Sequence, residues 1–342
     1  MILAAGAGVR ASPLTDNIPK ALVSVAGRTL LEWTMQGLCL AGVQDITVAI
    51  GCKASMIEDY LQSNERQKGC EPRIDIVPVQ DYEIGPLRTT LTALETFPDE
   101  EFFISPVDAI VETDIITGML DKHTKTKGMI LAVDFTASSG TPVYVDKDRF
   151  IIGLGNSAPE GVFSVGRSVM LLIAHKSIVD YCRSALSRDE RRLVCVLNQM
   201  ITDGIPMYSH DVHSKWFDVD TLPDILLLNR HLLKSSDRHN SLGGIFVPDG
   251  DLMEINNRLA LKDSDIIVNN NVILEGPVLL SPGCRIAQNC RIGPNVTIGT
   301  SAKISDSCEL INTIVYGKST VHSHSRIENA IVYDSQIYQV GL

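Results

Sequence analysis

Two glycines, an arginine and a lysine within the first twenty residues could grip a polyanion. Gly6 and Gly8 follow the apolar run Ile2-Leu3-Ala4. Arg10, Pro13-Leu14-Thr15 and Pro19-Lys20 come next, in that order. Glycines let backbone N–H groups approach a phosphate closely. The two cations would bring positive charge to the same spot. That charge offsets the repulsion between an attacking phosphate oxygen and a triphosphate, and it stabilises a transition state at phosphorus. A plain strand-to-helix turn with two surface cations would explain a lone G-x-G, but not the whole ordered set.

Such chemistry uses Mg²⁺ across the phosphates, and Mg²⁺ takes one or two protein carboxylates. Asp108 follows the apolar run Phe102–Ser105. Asp218 sits in Trp216-Phe217-Asp218-Val219-Asp220-Thr221-Leu222-Pro223-Asp224. There Thr221 reads as a helix N-cap, with Pro223 in the first turn and Asp224 at the capping-box position. Asp218 is therefore expected at the end of a short strand, just before a helix. Asp220 and Asp224 read as capping or solvated residues.

These groups need a frame. Leu31, Met35 and Leu38 recur at helical spacing, which predicts a helix over 29–41. Strands are predicted at 45–50, 74–79 and 102–105, and helices at 55–61, 86–96 and 114–123. This alternation predicts a parallel sheet with helices on both faces. Ligands then bind at the carboxyl ends of the strands, so the loops after Ala4, Val79 and Ser105 should share one cleft. Gln80 and Gly85 lie in the second of these loops.

The texture changes near residue 243. From Val268, steps of six give Leu274, Leu280, Ile286, Ile292, Ile298, Ile304 and Leu310, all aliphatic. The fourth residue after each is small or apolar, from Val272 through Cys284, Cys290 and Cys308 to Ile314. One five-residue step leads to Val315, and the period resumes at Val321, Ile327 and Tyr333. A six-residue period with one inward aliphatic predicts a β-helix of about four coils. The predicted domains are an α/β domain over 1–236 and a β-helix over 243–342.

The loop and the tail together resemble the sugar-phosphate nucleotidyltransferases. The pattern L-x-x-G-x-G-x-R-x-x-P-L-T-x-x-x-P-K is met at Leu3, Gly6, Gly8, Arg10, Pro13, Leu14, Thr15, Pro19 and Lys20. Its W-x-D-[VI]-x-T-P-x-D segment is met at Trp216, Asp218, Thr221 and Asp224, with Leu222 inserted. The resemblance implies a Rossmann-like domain followed by a left-handed parallel β-helix. It implies that an NTP and a sugar 1-phosphate give a nucleotide sugar and pyrophosphate. Arg10 and Lys20 would bind the phosphates, and the backbone from Leu3 through Ala5, Gly6 and Gly8 the nucleotide. Gln80 and Gly85 would meet the base, Asp108 and Asp218 would hold Mg²⁺, and Glu160 would reach the sugar. For Gln80 and Gly85, and for Glu160, an ordinary turn is the competing explanation.

Val9 stands where the family has Thr or Ser, and Val107 where it has Gly. The chain also opens directly at the first strand. Gly85-Pro86-Leu87 and Pro106-Val107-Asp108 are similar to nucleotidyltransferases that guanylylate the molybdenum cofactor. Asp218 to Thr221 is similar to a segment of inositol-phosphate cytidylyltransferases. Base and acceptor therefore stay open. Two other classes compete: a non-catalytic regulatory homologue, and an acetyltransferase of the tail using His322 or His324 with coenzyme A.

Over 342 residues the net charge is -11, which argues against a nucleic-acid partner. No apolar run is long enough to span a membrane. Without a basic leader the expectation is a cytoplasmic protein. The eight cysteines form no C-x-x-C pair and are expected as reduced thiols, mostly in cores. A β-helix tail predicts a homo-oligomer, with a trimer as one form.

Overall fold

The computed structural model describes residues 1–63, 72–97, 99–155, 157–234, 244–262 and 264–341. The predicted boundary between the domains, and Cys70, lie outside the described residues.

Four parallel strands form the centre of the first domain: Arg73–Pro78, Asp45–Ile50, Ile2–Ala4 and Glu101–Pro106, in that spatial order. Apolar side chains on alternate positions leave by opposite faces, so each face needs its own helices. Leu87, Leu91 and Leu94 of helix Pro86–Thr96 cover one face, with helices Ile178–Ser187 and Leu193–Thr202. Helices Leu30–Leu40, Ala54–Gln62 and Thr113–Thr126 cover the other through Leu31, Ile57 and Met119. Helix Leu30–Leu40 starts where its sequence says it should. Thr29 accepts from Glu32 N, and Glu32 reaches back to Thr29 N, a reciprocal capping box.

The sheet is mixed rather than wholly parallel, which corrects the sequence expectation. Ser164–His175 runs antiparallel to Glu101–Pro106, to Met129–Asp134 and to Pro142–Val145. A strand of twelve residues can pair along its length with several shorter ones, and this one extends the sheet past the parallel centre.

In the second domain, strands eighteen residues apart pair in parallel: Val268 with Ile286, Leu274 with Ile292, and Leu280 with Ile298. Three strands pass before the chain returns to the same ladder, so the domain is a coiled parallel β-structure. Its axis is filled by the six-residue series, Leu274, Ile286, Ile298 and Leu310 among them. Strands Ile245–Val247, Leu252–Ile255 and Leu259–Leu261 run antiparallel over the first coil, and Gln336–Gln339 runs antiparallel on the last. They cover strand edges that could otherwise pair with another chain.

Two repeat assignments change. Ile314 points out of the coil, against helix Leu222–Lys234, and Val332 rather than Tyr333 turns inward. Asn312 and Asn329 explain both. Each has a left-handed backbone, at φ 44° and 52°, and Asn312 Nδ2 donates to Asn329 Oδ1 at 2.6 Å. The stacked bends shorten the step to five residues in two successive coils. The reduced-thiol expectation also fails at Cys39, which is disulfide-bonded. Cys284, Cys290 and Cys308 are buried in the coil as small apolar groups.

Helix Leu222–Lys234 joins the domains. It buries Ile225, Leu226 and Leu233 in one cluster with Leu14 and Trp33 on one side and Leu279, Ile314 and Ile331 on the other. Asn229, fully buried, accepts from Ala26 N at 3.1 Å and from Thr297 Oγ1 at 2.7 Å. Asn229→Leu would strand both donors. The expected cost is about 3 kcal/mol, read as a lower guanidinium midpoint.

Candidate active site

Leu3 pairs in parallel with Ala49 on one side and with Pro106 on the other, so the segments that follow these strands emerge together. Ala5 O accepts from Cys52 N at 3.0 Å, which fixes the first turn of the glycine loop. Gly8 has φ 65°, and its carbonyl accepts from Thr15 Oγ1 at 2.9 Å. A Cβ on Gly8 would stand 2.8 Å from Lys20 Cβ. The glycine is therefore needed both for its backbone and for the space that Lys20 occupies. Gly8→Ala is expected to displace the lysine and lower kcat/KM by about a hundredfold, with the circular dichroism spectrum unchanged.

Lys20 is buried, and its ammonium lies 2.5 Å from Asp108 Oδ2 and 2.7 Å from Asp220 Oδ1. Burial alone would lower its pKa; the charges and hydrogen bonds of Asp108 and Asp220 raise it instead. A raised lysine keeps its full stabilisation below its unfolded pKa, near 10.4, and loses it only as pH climbs through the folded value. The arrangement is thus charged and intact across the neutral range.

Arg10 Nη2 meets the other oxygen of Asp220 at 2.7 Å. The Arg10 side chain is 68% exposed, so this pair adds little stability and Arg10 can leave it cheaply.

Asp218 arrives by a different route. Trp216–Asp218 pairs antiparallel with Ala109–Val111, which sets Asp218 opposite Ala109 and beside Asp108. Trp216 Nε1 donates to Asp134 Oδ2 at 2.9 Å and anchors the strand. Carboxylate oxygens of Asp108, Asp218 and Asp220 lie within 4.8 Å of one another. Asp218 is exposed to solvent, yet its pKa is raised to about 6, first by partial desolvation, then by the charges of Asp220 and Asp108. Three close, mutually repelling oxygens are a hard-cation donor set, and they fit Mg²⁺.

A cavity of about 510 Å³ opens beside these groups. Leu3, Ala5, Gly6, Lys20, Gly85 and Asp108 all line it. Gly8 stands behind Lys20. Gln80 is exposed in the turn after its strand and does not line the cavity, and Glu160 is exposed in its own turn. The structure thus brings the loop, Lys20 and Asp108 to one cavity, gathers Arg10 and Asp218 beside them through Asp220 and Asp108, and leaves Gln80 and Glu160 outside it. Val9 is 77% exposed, whereas Val107 is buried in the core and also lines the cavity.

The MobA-like NTP transferase domain family matches residues 1–199, more than half of the chain. The chain belongs to this family. The MobA-like domain is followed, over residues 274–340, by a match to the GMPPB C-terminal domain. A UTP–glucose-1-phosphate uridylyltransferase of Synechocystis sp. is 25% identical over 75% of this chain and 69% of its own length. A mannose-1-phosphate guanyltransferase of Neurospora crassa is 26% identical over 66% of this chain; the match spans 62% of that relative, less than two thirds. Among solved structures, UDP-glucose pyrophosphorylase complexed with UDP-glucose superposes with a TM-score of 0.60. It is 16% identical and covers 68% of this chain and 97% of that one, a likeness of fold.

Within this candidate site, sequence reasoning missed Asp220. The expectation for it is a capping or solvated residue, yet the capping carboxylate is that of Asp224, which accepts from Thr221 N at 2.8 Å, from Thr221 Oγ1 at 2.7 Å and from Asp220 N at 3.1 Å. Asp220 instead bridges Lys20 and Arg10. A signal was present: in extended chain, residues two apart face the same way, so Asp218 and Asp220 belong together. Tyr82, Met170 and Leu193 also line the cavity, and no local pattern marks them.

Proposed function

We propose that the chain transfers a nucleotidyl group from an NTP to a sugar 1-phosphate, as a Mg²⁺-dependent enzyme. One observation carries this reading. A buried lysine, held by two of three clustered carboxylates, stands at the mouth of a cavity lined by a glycine loop. The names of the similar curated proteins, which act on glucose 1-phosphate and mannose 1-phosphate, support the acceptor class.

An oxygen of the acceptor phosphate attacks the α-phosphorus, and the bond to the departing pyrophosphate breaks. No proton transfer or covalent enzyme intermediate is required. Lys20 and Arg10 neutralise phosphate charge as it builds on the transferring and leaving groups. The backbone of Ala5 and Gly6 approaches the nucleotide. Asp108, Asp218 and Asp220 would hold Mg²⁺, which would supply positive charge to offset that of the phosphates.

The test is pyrophosphate release with Mg²⁺, across the four NTPs and a set of sugar 1-phosphates. Release that needs both substrates is expected; silence across the panel from folded protein sinks the proposal. The coiled second domain supports a homo-oligomer, and a sedimentation mass of one chain would contradict it.

A further inference from the structure

Met170 occupies a position that its side chain makes costly. It lies in the middle of the strand Ser164–His175, where the five residues from Ser168 to Leu172 run opposite only three, Val133 to Leu131. Within this bulge Met170 has φ 64°. Among the described residues it is the one apolar side chain longer than alanine at positive φ. Such a conformation persists where surrounding contacts impose it, and it re-aims a side chain. Ser168, itself buried, supplies the contacts. Its hydroxyl accepts from Met170 N at 3.0 Å and lies 3.4 Å from Met170 Sδ. The result is a thioether chain, 39% exposed, on the wall of the substrate cavity.

That wall leads somewhere. A second cavity of about 780 Å³ adjoins the first, and Thr141, Arg192 and Val194 line both. Met170 lines the first cavity. Ser168 N donates to Thr141 O at 2.9 Å, so Thr141, Ser168 and Met170 are linked by successive hydrogen bonds. Gly85 and Asp108 line the first cavity only, as Met170 does. An acceptor whose phosphate meets Lys20 and Asp108, and whose ring lies in the first cavity, shares that cavity with the Met170 side chain.

We propose that Met170 is a specificity-determining residue for the acceptor. Its bulge-held side chain excludes sugar 1-phosphates that carry a bulky substituent on the carbon next to the phosphate-bearing one. This rests on the transferase reading above and names the class of acceptor the site takes: a sugar 1-phosphate with a small group at that carbon. A steric barrier of a few heavy atoms is of the size that sets tenfold or greater substrate preferences.

The test compares the full-length protein with Met170→Ala and Met170→Gly. Glucose 1-phosphate and N-acetylglucosamine 1-phosphate are the acceptors, with one NTP. Both variants are expected to raise kcat/KM for the N-acetyl acceptor, relative to glucose 1-phosphate, by about tenfold or more. The NTP KM should stay within about threefold. The Tm of Met170→Gly should not fall, because glycine relieves the left-handed backbone. A smaller change in the acceptor ratio, or a larger change in the NTP KM, overturns the proposal. Thermal shifts produced by each sugar phosphate alone separate this proposal from the transferase reading. A shift by N-acetylglucosamine 1-phosphate gained only in the variants upholds the role of Met170 even where no pyrophosphate is released. Shifts equal in all three proteins, or absent from all, overturn it.

Discussion

Lys20→Met is expected to lower kcat/KM for nucleotidyl transfer by about a thousandfold, the upper end of what one oriented electrostatic group contributes. Methionine keeps the length and most of the apolar contact of lysine and removes only the charge. The loss should appear in kcat as well as in KM, because charge builds on the phosphates as the reaction proceeds. The same change should destabilise the fold. Asp108 and Asp220 now share one ammonium at 2.5 and 2.7 Å. Without it, Asp108 is left unpaired beside Asp218, and Asp220 keeps only the exposed Arg10. Breaking a buried pair costs about 3 kcal/mol at the low end, and the low end applies because the Asp108 side chain is 26% exposed. Lys20→Arg separates charge from geometry. The guanidinium restores the charge, but it is a planar fork in a pocket cut for a point charge, and only part of the activity should return. Full activity in Lys20→Met would remove the lysine from the mechanism.

Much of this frame was legible in the residues because the forces that shape it are local. Helix Leu30–Leu40 announces itself through Thr29 and Glu32, three positions apart. The β-helix announces itself through a six-residue period, because each inward aliphatic faces the same axis. The glycine loop is legible because Gly8 has no substitute at φ 65° against Lys20. What escaped depends on distant partners. Asp220 looks like a cap until Arg10 and Lys20, some two hundred residues away, are brought beside it. The strand Ser164–His175 carries no clean alternation, since its two ends pair with different neighbours and a bulge shifts its register between them. The second shortening of the coil was hidden because a step of five or of six from Ile327 lands on an apolar residue, Val332 or Tyr333. Only the stacking of Asn329 on Asn312 decides between them.

Asp218→Asn is expected to separate activity from stability, losing the first while gaining the second. Asp218 makes no ion pair among the described residues, whereas Asp108 and Asp220 are both paired with Lys20. Removing its charge therefore leaves the Lys20 arrangement in place. What disappears is one anionic oxygen donor of the proposed Mg²⁺ set, and activity should fall about a thousandfold, with no rescue by added Mg²⁺. Stability should move the other way. The folded pKa of Asp218 is raised to about 6, so its ionised form is disfavoured by the fold. A raised carboxylate lowers stability above its folded pKa, and the penalty vanishes below its unfolded value of about 3.9. At pH 8 without divalent ions, Asp218→Asn should thus melt higher than the unaltered protein. The difference should shrink as pH falls through 6 and be gone by about pH 4. Added Mg²⁺ should reverse the order at pH 8, because an ion that binds the folded state raises its Tm and the variant binds that ion less well. A variant that melts lower than the parent at pH 8 without Mg²⁺ would mean that Asp218 has a structural partner, and that its charge is not held ready for a cation.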